Sequence, residues 1–352
     1  MIQDIGRYTV RVRGRYTMDG GMLWMASSLS EIGFRVSEAK ILQVMLQADD
    51  TVSDPERMHL TPRYAVMVDG DLVIDRRMRE KEETVTVFES SAPWGAEIRL
   101  RKLSECSQSI LAVCEIRTDG IIVPLEETGT RIEFIGDSIT CGYGVEGKSE
   151  LESFTTATEN AGKSYAGLVT DWMGLDAMLT CFSGYGIISG YTGDPEKRNT
   201  SELLPHYYDR VGRNDFTLPS GKKLQEIPWH FSSWQPDKIL VHLGTNDLSW
   251  YDGREHRREM FRKQYKEFLT VIRKYNPGAM ILCVLGIMGT GLNEAMVKAV
   301  NEYRTENGDT RIHAMTLQEQ DAARYGYGAN FHPNEKTQQR LAEKIQAFIQ
   351  NT

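Results

Sequence analysis

Up to about residue 126 the chain alternates apolar and polar positions with a period of two. Residues 7–12 alternate, 41–46 form a dense apolar run, and 63–68 alternate again. A turn at Asp69-Gly70-Asp71 leads into Leu72-Val73-Ile74, the pattern of a hairpin. Segments 83–88, 97–103 and 110–116 continue it, with Gly20-Gly21, Pro93 and Gly95 as breaks between strands. No sustained helical period occurs in this stretch. Many short strands separated by turn residues predict a β-sandwich of jelly-roll-like form.

From about Thr130 the rhythm changes. Short apolar runs at 131–135, 177–181, 238–243, 281–285 and 311–315 read as buried strands. Between and after them, 164–172, 254–275, 293–303 and 335–349 carry helical spacing, and Asn276-Pro277-Gly278 should stop the longest helix. Strands alternating with helices predict an α/β domain with a parallel sheet covered on both faces, the three-layer α/β/α arrangement. The expected division is a sandwich domain over 1–128 followed by an α/β domain over 129–352. A chain of 352 residues is comfortable for two such domains.

Composition narrows the class. With 40% hydrophobic and 26% charged residues the chain is an ordinary globular one. Its formal net charge of −8 argues against nucleic acid or an anionic membrane as partner, because both reward clustered Lys and Arg. The longest apolar run, 281–288, is far too short to span a bilayer. The start, Met1-Ile2-Gln3-Asp4, lacks a basic region followed by an apolar stretch. The expectation is a cytoplasmic protein, or a secreted one whose leader has been removed. Five cysteines without CxxC spacing read as reduced, mostly buried thiols rather than a disulfide framework or a zinc cluster. Oligomeric state is not legible.

In a parallel sheet the chemistry sits beyond the carboxyl ends of the strands. The first α/β strand ends in Gly136-Asp137-Ser138, where the serine either caps a following helix or stands exposed as a nucleophile. After the second strand comes Cys181-Phe182-Ser183-Gly184-Tyr185-Gly186; Gly184 either makes a plain tight turn or offers its N–H to a bound oxygen. The third strand ends in Gly244-Thr245-Asn246-Asp247. Asn246 either closes a turn or donates from Nδ2 to an oxyanion, and Asp247 reads as a turn or helix cap. Just before the last helix stands Asn330-Phe331-His332-Pro333-Asn334, with the proline suited to a first helical turn and His332 either structural or a general base. The other six histidines lack such a setting, and no HxxxH spacing marks a metal site.

Each piece is weak alone, but the order is informative. Gly-Asp-Ser, Ser-Gly, Gly-Thr-Asn-Asp and His-Pro together resemble the four blocks of the SGNH (GDSL-like) hydrolase superfamily. The resemblance implies Ser138 as nucleophile, His332 as base, and the N–H groups of Ser138 and Gly184 with Asn246 Nδ2 as oxyanion donors. A sandwich of about 125 residues ahead of such a domain, with a Gly-Ala-x-x-His-Pro ending, is similar to carbohydrate esterase family 2. That likeness implies a serine esterase removing acetyl or other short acyl groups from carbohydrate such as xylan, with no metal or organic cofactor. An acetylated oligo- or polysaccharide would be the partner. A short-chain lipid esterase or thioesterase on the same fold, or a carbohydrate-binding protein with an inactive hydrolase domain, are the competing readings.

One departure stands out. The superfamily usually places an aspartate three residues before the histidine, where this chain has Ala329; many family 2 enzymes resemble that with an acid two before, where this chain has Asn330. The expectation is therefore a Ser–His dyad whose imidazole is held by a neutral acceptor, either a backbone carbonyl near Ala329 or Oδ1 of Asn330. Four aromatic residues near these loops, Tyr185, Tyr191, Trp250 and Phe331, either stack on a sugar ring or pack in the core.

Overall fold

The computed structural model describes residues 2, 3, 5, 10–126 and 129–352. The chain folds into two compact units. The first comprises Met1–Thr128, Phe154–Gly162 and Arg210–Trp229; the second comprises Gly129–Ser153, Lys163–Asp209 and His230–Thr352. A simple cut at 128/129 thus assigns to the second domain two segments that belong with the first, because both are irregular and carry no period that would place them.

Within the first unit, ten strands among the described residues join in one antiparallel sheet. The expected hairpin is Arg63–Val68 against Asp71–Arg77. The run at 41–46 lies inside the longer strand Glu31–Ala48, and that at 110–116 corresponds to Leu111–Thr118. The expected strand at 7–12 falls partly outside the described residues; Arg11–Arg13 is a strand. One correction is physical. Segments 83–88 and 97–103 are a single strand, Glu82–Lys102, and Pro93 does not end it. Ile41 pairs with Glu89 and Ala39 with Trp94, so Lys40 alone stands opposite residues 90–93. A proline, which cannot donate to the ladder, is tolerated inside such a bulge. The core of this unit gathers inward-facing residues such as Phe34, Leu42, Val44, Tyr64, Ile98 and Leu100.

The second unit holds a five-stranded sheet, every neighbouring pair parallel. Its spatial order is Asp176–Cys181, Arg131–Gly136, Lys238–His242, Met280–Leu285, Ile312–Thr316. The strands are nearly continuous in apolar residues because both faces are covered; Asp176–Cys181 is buried at every position. Helices Tyr165–Met173 and Glu335–Gln350 pack together, as do Glu255–Tyr275 and Asn293–Asn307. Glu255–Tyr275 buries Phe261, Tyr265, Phe268, Leu269 and Ile272, one stripe at helical spacing. Ser164 caps its helix by accepting from Gly167 N at 3.2 Å. The final helix is capped by Asn334, which leaves Pro333 outside the first turn rather than in it. The five cysteines carry free thiols, four of them buried. No helix among the described residues is long and apolar enough to cross a membrane.

The strand order decides where a site can form. The chain enters the sheet at Arg131–Gly136, moves to one side, then returns to build outward on the other. At such a switch point the loops beyond the strand ends diverge and leave a crevice.

Candidate active site

The register brings three strand ends level, for Gly136 pairs with Cys181 on one side and His242 on the other. Beyond these ends lie Ser138, Gly184 and Asn246, from segments far apart in the chain. Gly136 is dictated by crowding, since a Cβ there would lie 2.0 Å from Thr140 Oγ1. The chain then turns into the short helix Ser138–Cys141, capped by Asp137, whose Oδ1 accepts from Ile139 N at 3.1 Å. Ser138 is therefore the first helical residue, whose N–H has no acceptor within the helix. Its neighbour supplies the cap, which leaves its own hydroxyl for another partner.

That partner is His332. Its Nε2 lies 2.9 Å from Ser138 Oγ, and its Nδ1 lies 2.8 Å from the backbone carbonyl oxygen of Asn330. A carbonyl only accepts, so Nδ1 carries the proton and Nε2 is the acceptor for the serine hydroxyl. Desolvation pushes the imidazole down to about 4, against the carbonyls of Asn330 and Ala329, which work the other way. The ring is neutral at pH 7, the form in which it can take a proton. Tyr143 packs on it with ring centroids 4.2 Å apart.

How the carbonyl reaches the imidazole could not be read from the sequence. Residues Ala329–Phe331 form a tight turn in which Asn330 and Phe331 have φ of 50° and 62°. This left-handed turn folds the Asn330 carbonyl back onto a ring only two residues later. The turn is pinned by Ala329 N to Gly144 O at 2.9 Å and Asn330 N to Glu152 O at 3.1 Å. Of the two expected acceptors the backbone one is present. Oδ1 of Asn330 is not used for this, because the side chain turns away and Nδ2 donates to Tyr143 Oη at 3.3 Å.

Asn246 is buried in the first turn of helix Thr245–Tyr251, and its Nδ2 donates to Tyr185 O at 2.8 Å. An amide nitrogen has two hydrogens, so one remains for a ligand. Gly184 adopts φ of 85°, and its carbonyl accepts from Tyr191 N at 2.7 Å. Its N–H makes no hydrogen bond among the described residues. Asp247 does not cap its own helix. Its buried carboxylate instead accepts from the amides of Ile187, Ile188 and Ser189.

The four aromatic residues divide. Trp250 is buried, with the guanidinium carbons of Arg198 and Arg257 at 5.3 and 4.4 Å from its ring centroid, so its ring is taken up by protein contacts rather than left open to a sugar. Tyr185 is likewise buried, its ring against Phe182 and Tyr207. Tyr191 and Phe331 are 62% and 51% exposed and remain available to a ligand.

The chain is similar to known proteins over most of its length. Residues 132–345 match the family model described as GDSL-like Lipase/Acylhydrolase. Cellulase/esterase CelE of Acetivibrio thermocellus is 36% identical over 234 residues, 65% of this chain but only 26% of that protein's length. An acetylxylan esterase / glucomannan deacetylase of Cellvibrio japonicus is 25% identical over 273 residues, covering 74% of this chain and 71% of the relative. Among solved structures, a family two carbohydrate esterase from Clostridium thermocellum in complex with cellohexaose superposes with a TM-score of 0.81 at 26% identity, covering 97% of this chain and 98% of that one. A parallel sheet with Ser138 beyond one strand end in contact with His332 from the turn before the last helix, matched over residues 132–345 by the family model, places this chain in the GDSL-like lipase/acylhydrolase family.

Proposed function

We propose that the protein is a serine esterase that removes acetyl or other short acyl groups from O-acetylated carbohydrate, as a member of carbohydrate esterase family 2. The observation that carries this reading is the Ser138 Oγ to His332 Nε2 contact of 2.9 Å, with the far side of the imidazole fixed on a backbone carbonyl. The names of the similar proteins, acetylxylan esterase and glucomannan deacetylase among them, support the substrate class.

The chemistry follows from the arrangement. Ser138 attacks the ester carbonyl while His332 Nε2 takes its proton. Negative charge develops on the former carbonyl oxygen, where the N–H groups of Ser138 and Gly184 and Nδ2 of Asn246 receive it. The imidazolium gives its proton to the departing sugar oxygen, which leaves as the hydroxyl. Water, deprotonated by the same histidine, then attacks the acyl-serine; the histidine returns that proton to Ser138 Oγ as the acid is released. The cation formed on His332 is stabilised by the Asn330 carbonyl dipole instead of a carboxylate. Tyr191 and Phe331 are the rings we assign to the sugar.

We further read residues 1–128 as an accessory sandwich domain of jelly-roll-like form and 129–352 as a three-layer hydrolase domain. The antiparallel sheet of the first unit and the two helix pairs of the second support this.

The test is hydrolysis of acetylated xylan, glucomannan and cello-oligosaccharides beside aryl acetate and aryl octanoate. Acetate release from the sugars, abolished in folded Ser138→Ala, is expected. Ester hydrolysis persisting in Ser138→Ala, or a preference for octanoate, would overturn the reading.

A further inference from the structure

We infer that Asp247 is a positioning residue for the oxyanion hole, its carboxylate clamping the loop that carries the Gly184 N–H to the turn that carries Asn246. The inference rests on the proposed roles of Gly184 and Asn246. Between Cys181 and the short turn Leu204–His206 the chain has no regular helix or strand, only isolated bridges. Among the described residues, Gly184 is tied within the loop only through its carbonyl, which accepts from Tyr191 N. Asp247 supplies the hold: Oδ1 accepts from Ile187, Ile188 and Ser189 N at 3.1, 2.6 and 3.0 Å, and Oδ2 accepts from Ile187 N at 3.0 Å. A Cβ on Gly186 would lie 2.7 Å from Asp247 Oδ2, so the loop backbone rests directly on the carboxylate. Adjacent Asn246 ties the same loop through Tyr185 O. Adjacent residues of one helical turn thus fix the loop on both sides of Gly186.

Oδ1 reaches all three amides and Oδ2 shares the Ile187 N–H, so both oxygens face donors. An asparagine at 247, or a protonated aspartic acid, would turn a donor toward Ile187 N–H. The acid form of the native protein should therefore imitate the asparagine variant. Desolvation raises the Asp247 carboxyl to about 6 while the three amides oppose it. The charged groups on neighbouring elements are Asp137 at the first strand end, Arg198 and Glu202 on the clamped loop, and Arg257 on helix Glu255–Tyr275.

The experiment is aryl acetate kinetics on Asp247→Asn across pH 3.5–8, with Ser138→Ala and Asp137→Asn beside it. The expected result is kcat lowered about 10²-fold, the cost of a misplaced donor, with KM nearly unchanged. The native acid limb near pH 6 should disappear in Asp247→Asn, leaving the limb of His332 near 4, and should persist in Asp137→Asn. Native kcat in folded Asp247→Asn, or a limb near 6 that survives there, overturns the inference. So does loss of that limb in Asp137→Asn. Should Asp247→Asn fail to fold, the native profile decides: a limb near 6 supports the clamp and a sole limb near 4 refutes it. Ester hydrolysis surviving in Ser138→Ala would instead sink the underlying reading of the site.

Discussion

Asn330 offers a decisive perturbation, because the residue contributes its backbone and its side chain to different partners. Its carbonyl holds His332 Nδ1 at 2.8 Å, whereas its Nδ2 reaches Tyr143 Oη at 3.3 Å. Alanine removes the second contact and leaves the first. It must also adopt φ of 50°, a region that asparagine tolerates and that costs an ordinary L-residue about 1–2 kcal/mol. The lost hydrogen bond is exposed and adds about 0.5 kcal/mol. A total of about 1.5–2.5 kcal/mol should lower the unfolding midpoint of a chain this size, whose unfolding entropy is about 0.7 kcal/mol/K, by roughly 2–3 °C. The effect on turnover should be small, since the orienting carbonyl survives. We expect kcat within about tenfold of native, against the factor of about 10⁴ that follows loss of the orienting acid in a triad. Asn330→Gly, free of the backbone penalty but also without the hydrogen bond, should recover most of the midpoint that alanine loses. Aryl acetate kinetics and a thermal melt on the same preparations make the comparison. A folded Asn330→Ala whose kcat falls by about 10³ or more would show that the side chain, not the carbonyl, orients the base.

Two further outcomes follow from the same geometry. Asn246→Ala should lower kcat for aryl acetate by about 10²–10³ with little change in KM, and a loss under tenfold would remove Asn246 from the oxyanion hole. Asp137 is buried, and desolvation followed by the neighbouring Asp247 carboxylate raises its carboxyl from 3.8 to about 7. The folded state therefore holds this proton more tightly than the unfolded chain, and the stability it gives at low pH is lost as pH rises through about 7. Asp137→Asn cannot ionise but keeps an oxygen for Ile139 N. Urea unfolding at pH 4.5 and 7.5 should show the variant gaining on the native protein at the higher pH; an equal difference at both would count against the buried carboxyl.

Much of the second unit was legible because its elements are long, apolar and punctuated. Strands expected at 131–135 and 281–285 are Arg131–Gly136 and Met280–Leu285, and the helix expected at 254–275 is Glu255–Tyr275. The first unit was less legible: a strand that survives a proline needs a partner with a bulge, and register is a property of two strands, not one. The same limit applies to the aromatic residues. Trp250 and Phe331 look alike in sequence, and only packing buries one under two guanidinium groups and leaves the other half exposed.

Residue types and spacings by themselves determined the class of fold, the strand ends at which to search, and the serine and histidine that meet there. Tertiary structure alone decided what holds the histidine and what holds the loop of Gly184. A backbone carbonyl is present at every residue and leaves no mark in a sequence. The left-handed turn that aims one at His332 arises from Ala329 and Asn330 bonding to Gly144 and Glu152, nearly two hundred residues earlier. Asp247 likewise reads as a cap until its three partners, some sixty residues earlier, are folded against it.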